Sequence, residues 1–161
     1  MRPSLLKSRR GWGARSGHAL VEFALGSTIL VTVFAGVFQY GFIFYQYNAL
    51  ENAVINGAHF ASQRSYDSLT STPSNSFQTA VQNMVVYGDP TGTNTTPIVR
   101  NLGTGNVNIS VGMLGSGTDL VPISITVSIS GYTIDAIFGK FTCTNKPAVT
   151  YAYQGIFAPH P

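Results

Sequence analysis

Charge is scarce in this sequence. Of its 161 residues, 9% are Asp, Glu, Lys or Arg, against about 25% in an ordinary soluble protein. So little charge argues against a free cytosolic enzyme and for a membrane or an assembly. The charges are also unevenly placed. Arg2, Lys7, Arg9, Arg10 and Arg15 precede His18, with no acid among them. From His18 onward, four basic residues meet all six acids, so that part carries −2 although the whole chain is formally +3. The basic character belongs to a short leader. A nucleic-acid partner is not implied, because that needs basic residues clustered on a folded surface.

Other absences narrow the chemistry. Cys143 is the only cysteine, which excludes an intrachain disulfide and a cysteine-based metal site. It reads as a small, partly buried residue near a strand end. His18, His59 and His160 are scattered without ligand spacing, so no metal is expected. Gly103, Gly105, Gly112, Gly115 and Gly117 complete no GxGxxG and precede no P-loop lysine; they read as turns. Asp67, Asp89, Asp119 and Asp135 stand alone, and "DPTGTN" lacks the ligand alternation of a calcium loop. No nucleophile–base pairing stands out. The chain is expected to be no enzyme, with no cofactor and no small-molecule substrate.

What is present begins with an apolar run. Residues Phe23 to Tyr45 are 23 in number and uncharged, enough for a membrane-spanning helix, which needs roughly 20. Tyr40, Phe42, Phe44, Tyr45 and Tyr47 crowd its far end, where amphipathic rings favour the membrane–water boundary. Five basic residues before the run predict a cytoplasmic N-terminus, with everything after Tyr47 on the outer side. The helical pattern continues beyond it. Ala49, Leu50, Ala53, Val54, Gly57, Ala58 and Ala61 recur at steps of one, three and four, an apolar stripe. One helix from His18 to about Arg64 would be on the order of 70 Å long.

A polar loop follows, "SYDSLTSTPSNS". "NSFQTAVQNMVVYGDP" then predicts a short helix with Asn75 as cap and Gln78 at the capping-box position. Phe77, Ala80, Val81, Met84 and Val85 form its apolar face, and Gly88 and Pro90 close it. Residues Thr91 to Gly105 read as a loop. After it the period becomes two. Val107, Ile109 and Val111 share one face; residues Val121 to Ile129 alternate without a fault, with Pro122, Ser124, Thr126 and Ser128 on the other face; Val149, Tyr151, Tyr153 and Phe157 align. Three half-buried strands imply a small antiparallel sheet. It cannot hide its apolar face alone, so it should pack on the short helix and on the long one. The expected fold is α+β: a basic leader over 1–17, a long N-terminal membrane-spanning and stalk helix over 18–64, and a small outer domain over 65–161.

Glu22 sits uneasily beside this run. A charged residue at the centre of a span costs about 2.5–3.5 kcal/mol, and the residue could simply end the polar leader and snorkel to the interface. The order of features points elsewhere. A basic leader ends in Gly17, His18 follows, and Glu22 is the fifth residue from His18. This resembles the type IV prepilin signal. "GHALVEFALGSTILVTVFAGVFQYGFIFYQYNALENAVINGAHFA" more closely resembles the TadE-like family of tight-adherence (Tad/Flp) pilus proteins. The resemblance lies in Val21 to Leu25, in Gly41 before an aromatic stretch, and in Ala49, Leu50, Asn52, Ala53, Gly57 and Ala58. It covers residues 16 to 61. His18 stands where the family often has a small residue, and His59 where an arginine is common.

The resemblance implies a pilin-like subunit, a minor pilin or pseudopilin, of the bacterial inner membrane. It implies cleavage by a prepilin peptidase after Gly17 and assembly through the N-terminal helix, and a subunit so assembled could end outside the cell in a pilus. Its partners would be other pilin-like subunits, the inner-membrane assembly platform and membrane lipid. Glu22 would meet the N-terminal amine of a neighbour and set register. Two alternatives stay open: a permanently anchored envelope protein whose outer domain binds a partner, and a secreted protein cleaved near Val33-Phe34-Ala35.

Overall fold

The computed structural model describes residues 13–115 and 120–159, with only the backbone of residues 13–16. Most of the basic leader, with Gly117, Asp119 and His160, lies outside the described residues. The chain divides into two compact units, Met1–Tyr40 and Gly41–Pro161.

Helix α1 runs from Gly13 to Gln63. No proline falls within it, so nothing removes a backbone donor along its length. Its end matches the expected boundary; its start lies five residues earlier than His18. The first unit contains, of the described residues, only the part of α1 up to Tyr40. There, large apolar side chains such as Leu20, Phe23, Ile29, Leu30 and Phe38 lie exposed.

The second unit holds the rest. Helix α2 spans Asn75–Tyr87. Its cap is Ser74 rather than Asn75: the Ser74 hydroxyl accepts from the Phe77 N–H at 3.2 Å. Both residues are good caps, and Ser74 takes the position because its backbone is extended, at φ −60° and ψ 158°. Gln78 reaches back to the Pro73 carbonyl at 2.8 Å rather than to the cap's own N–H. Phe77, Ala80, Val81 and Val85 are buried as expected, and Val86 takes the place assigned to Met84. Gly88 closes the helix in the left-handed conformation, donating to the Met84 carbonyl, as glycine alone does without strain.

The expected loop after α2 contains one 3-10 turn, Thr104–Asn106. Strands β1 (Val107–Leu114), β2 (Val121–Ile129) and a third, later strand (Ala148–Ala152) form an antiparallel sheet with β2 at its centre. The unbroken alternation expected for β2 is corrected. The β1–β2 register shifts between Gly112 and Met113, so Gly112 pairs with Ser124 and Met113 with Pro122. One extra residue turns the strand over: Ile125, Val127 and Ile129 face the core, but Val121 and Ile123 are exposed and Pro122 is buried. Gly112 suits the spot, since a Cβ there would collide with the Ser124 hydroxyl.

A second sheet was not anticipated. Strands β3 (Thr133–Ala136) and β4 (Gly139–Thr142) form a hairpin closed by Ile137 and Phe138; the third strand of the main sheet is therefore β5. Its first strand is half polar and its second is exposed throughout, so neither shows the alternation of a half-buried strand. Cys143, buried just beyond β4, stands near a strand end as expected, and burial pushes its thiol pKa up.

One core joins these elements. Leu50, Ala53, Val54, Ala58 and Ala61 from α1 cluster with Phe77, Val81 and Val85 from α2 and with Ile125, Val127 and Ile129 from β2. The expected packing of the sheet with both helices holds. At Gly57 α1 approaches α2 so closely that a Cβ would run into the Val85 side chain.

Candidate functional site

The candidate site is the N-terminal part of α1, and its chemistry is that of an uncovered apolar helix. Gly17, His18 and Glu22 all lie on it and are exposed. Gly17 has no packing reason to be glycine: a Cβ there would meet nothing within 4 Å. His18 and Glu22 are four residues apart, one turn, and so share a helix face. Among the described residues Glu22 makes no hydrogen bond or ion pair. The structure thus brings the three together along the sequence, and leaves their side chains open.

The polar members of the run are muted. Ser27 and Thr28 donate to the Ala24 carbonyl at 3.0 and 2.8 Å, and Thr32 donates to Thr28 at 2.8 Å. Hydroxyls that bond back to the preceding turn need no partner from their surroundings, which suits an apolar medium. The helix is long and apolar enough to cross a membrane, and none of its most apolar stretch is buried within the protein. Tyr40, Phe44 and Tyr45 remain exposed, while Ile43 and Tyr47 pack against the core of the second unit.

Several polar groups of the second unit close its loops and chain crossings. The Tyr153 hydroxyl accepts from the Tyr66 N–H at 2.9 Å and can donate to the Ile156 carbonyl at 2.8 Å or to the Arg64 carbonyl at 3.0 Å. Burial pushes both phenols up in pKa. Tyr66 stacks on Phe157 and meets Phe77 and Tyr153 edge-on. Asp67 accepts from the Ser74 and Ser76 hydroxyls at 2.7 and 3.3 Å, while its other oxygen is buried without a partner. Period marks Phe77 on α2 and aligns Tyr153 and Phe157 with the last strand, which in fact ends at Ala152; no periodic signal marks Tyr66 or Asp67.

Asp89 folds its own loop: its carboxylate accepts from the Thr91 hydroxyl and from the backbone N–H groups of Thr91, Thr93 and Asn94. The Thr91 hydrogen bonds, foremost, hold its pKa below the usual value. Oxygens turned to N–H donors are poorly placed for a cation. Among the described residues no group of His, Cys, Asp and Glu could hold a metal ion.

These features define a class: a small α+β domain carried on one apolar helix of a length that fits a single-pass membrane anchor. Residues 17–59, the segment bearing the quoted motifs, match the model of the TadE-like protein family. The match relates this helical segment to TadE-like proteins and covers none of the chain beyond residue 59. No curated protein and no solved structure matches the chain significantly.

Proposed function

We propose that this protein is a minor pilin or pseudopilin of a Tad/Flp-type pilus or secretion machine. A prepilin peptidase hydrolyses the bond between Gly17 and His18, and the mature subunit assembles through its N-terminal helix. The N-terminus starts in the cytoplasm, α1 crosses the inner membrane, and the domain works outside it, in a pilus once assembled. The observation that carries this reading is the placement of Gly17, His18 and Glu22 on one open helix, inside the segment that matches the family.

The chemistry follows from charge. Cleavage creates an α-amino group on His18, protonated at neutral pH because such groups have pKa values of about 7.7–8.0. An amine and a carboxylate are each costly in an apolar helix bundle, and each neutralises the other. The amine of one subunit therefore meets Glu22 of its neighbour, and since desolvation offsets much of the attraction, the pair sets register more than it adds stability. The assembly platform and other pilin-like subunits are the partners of this step.

N-terminal sequencing of protein recovered from its native membrane tests the reading. The mature chain should begin at His18, and Gly17→Leu should retain the full-length form. A mature chain starting near Gly36 would instead support ordinary secretion, and an uncut one a permanent anchor. Glu22→Ala should leave cleavage and insertion intact but abolish assembly. Glu22→Gln should rescue little, because an amide cannot neutralise a cation. Normal assembly of Glu22→Ala would reduce the glutamate to the edge of the leader.

A further inference from the structure

We propose that the tip of the β3–β4 hairpin, Ile137 and Phe138, docks on the lipid bilayer surface beside the point where α1 leaves it; this rests on the reading of α1 as a membrane span. The tip is built against turn chemistry. Two-residue hairpin turns favour Asn, Asp and Gly, yet here they are Ile and Phe, 66% and 69% exposed, with Phe141 exposed beside them. Neither has the positive φ that a type I′ turn would impose. The turn geometry therefore does not call for apolar residues there, and water penalises their exposure.

Two fixed points orient the hairpin within the second unit. At its base, the Tyr132 hydroxyl lies 3.1 Å from the Gln46 side-chain oxygen. Further along, Thr133 and Asp135 line one depression with Gln46 and Phe42. The start of the hairpin thus lies close to the Phe42–Gln46 stretch of α1, where the aromatic belt begins. Phe42, Phe44 and Tyr45 in that stretch are themselves exposed aromatic residues, suited to the interface.

The charges agree with lipid as the occupant. Asp135 and Lys140, the second residue pair behind the tip, face each other at 3.4 Å across the strands. The acid is thereby matched before it nears the headgroups. Arg100 is exposed and lines both that depression and a second one with Tyr45 and Ile98. A cation beside exposed apolar residues at the end of a span suits anionic headgroups.

Depth-dependent quenching tests this on the full chain in vesicles of phosphatidylethanolamine and phosphatidylglycerol. Trp12, the only tryptophan, is replaced by Phe, and single tryptophans are introduced by Phe138→Trp, Leu30→Trp and Ile156→Trp. Ile156 is exposed and its carbonyl accepts from Tyr66, past the other end of α1, so it reports water. With lipid brominated high on the acyl chain, the Phe138→Trp probe should shift to shorter wavelength and lose emission, and the Ile156→Trp probe should do neither. Adding Ile137→Asp to the Phe138→Trp chain should restore emission. Quenching of the Leu30→Trp probe without quenching at 138 overturns the hairpin inference and leaves the span intact. Loss of quenching at Leu30→Trp overturns the span itself. A blue-shifted but unquenched probe at 138 overturns lipid in favour of a neighbouring protein.

Discussion

Helix α1 is apolar along nearly all its length, but its two regions use apolar side chains in opposite ways. Between Leu20 and Phe38 the side chains are large and open: Phe23 is 74% exposed and Leu30 57%. Between Leu50 and Ala61 they are mostly small and closed: Ala53, Val54, Ala58 and Ala61 are at most 2% exposed. The difference is one of surroundings. In the second region, backbones must come close, and Gly57 against Val85 marks where even a methyl group has no room. In the first region none of the described residues buries these side chains, and in water they would form a patch far beyond the few hundred Å² that a soluble monomer exposes. Lipid or neighbouring helices remove that penalty.

The largest test of this contrast is to cut the helix. A chain beginning at Gly41 keeps the compact unit whole and should unfold cooperatively in urea, followed by circular dichroism. One beginning at Ser65 lacks Leu50, Ala53, Val54, Ala58 and Ala61 from the core. Each large apolar side chain contributes about 1.5–3 kcal/mol on burial, and a domain's net stability is about 5–15 kcal/mol. The shorter chain should show no cooperative transition, and starting at Leu50 should restore it. Equal stability of all three would show that the core does not need α1.

Next come paired truncations within one intact chain. Leu50→Ala should destabilise the folded unit by about 2–5 kcal/mol, as buried leucines do. Leu30→Ala should change it by less than about 0.5 kcal/mol. Similar midpoint shifts for the two would erase the distinction.

The smallest effect separates the glycines. Gly57→Ala should cost about 1–3 kcal/mol through overpacking against Val85, partly offset by alanine's better helix propensity. Gly36→Ala, where a Cβ meets nothing within 4 Å, should cost nothing in the same denaturation experiment.

Much of this architecture can be read before any coordinates. The long helix, α2 and the strands of the main sheet follow from period alone, because each buries one face against a common core. Where reading failed, a local competition was decided by tertiary contacts. Ser74 and Asn75 are equally good caps, and only the backbone entering α2 separates them. The turnover at Pro122 left one trace, Gly112 inside strand β1, since glycine there signals a bulge. The β3–β4 hairpin left none, because Ile137 and Phe138 are not turn residues. Gly17 and Glu22 were found by motif, and no period or propensity marks them; the roles proposed for them lie in contacts between chains, which no single subunit contains.

The closing contacts of the second unit also set a clock. Tyr66 bridges to Phe157, the Ser65 hydroxyl reaches the Ile156 carbonyl 91 residues away, and the Gln154 N–H returns to Ser62. Contacts of such separation form late, because the long loop between them must be closed before they reward it. Synthesis therefore completes α1 before the residues that fasten its end exist. Through that interval the alanine stripe of α1 lacks its strand partners and is open to chaperones, proteases or another helix. The interval between synthesis of α1 and of Phe157 is therefore the one in which that stripe stays uncovered.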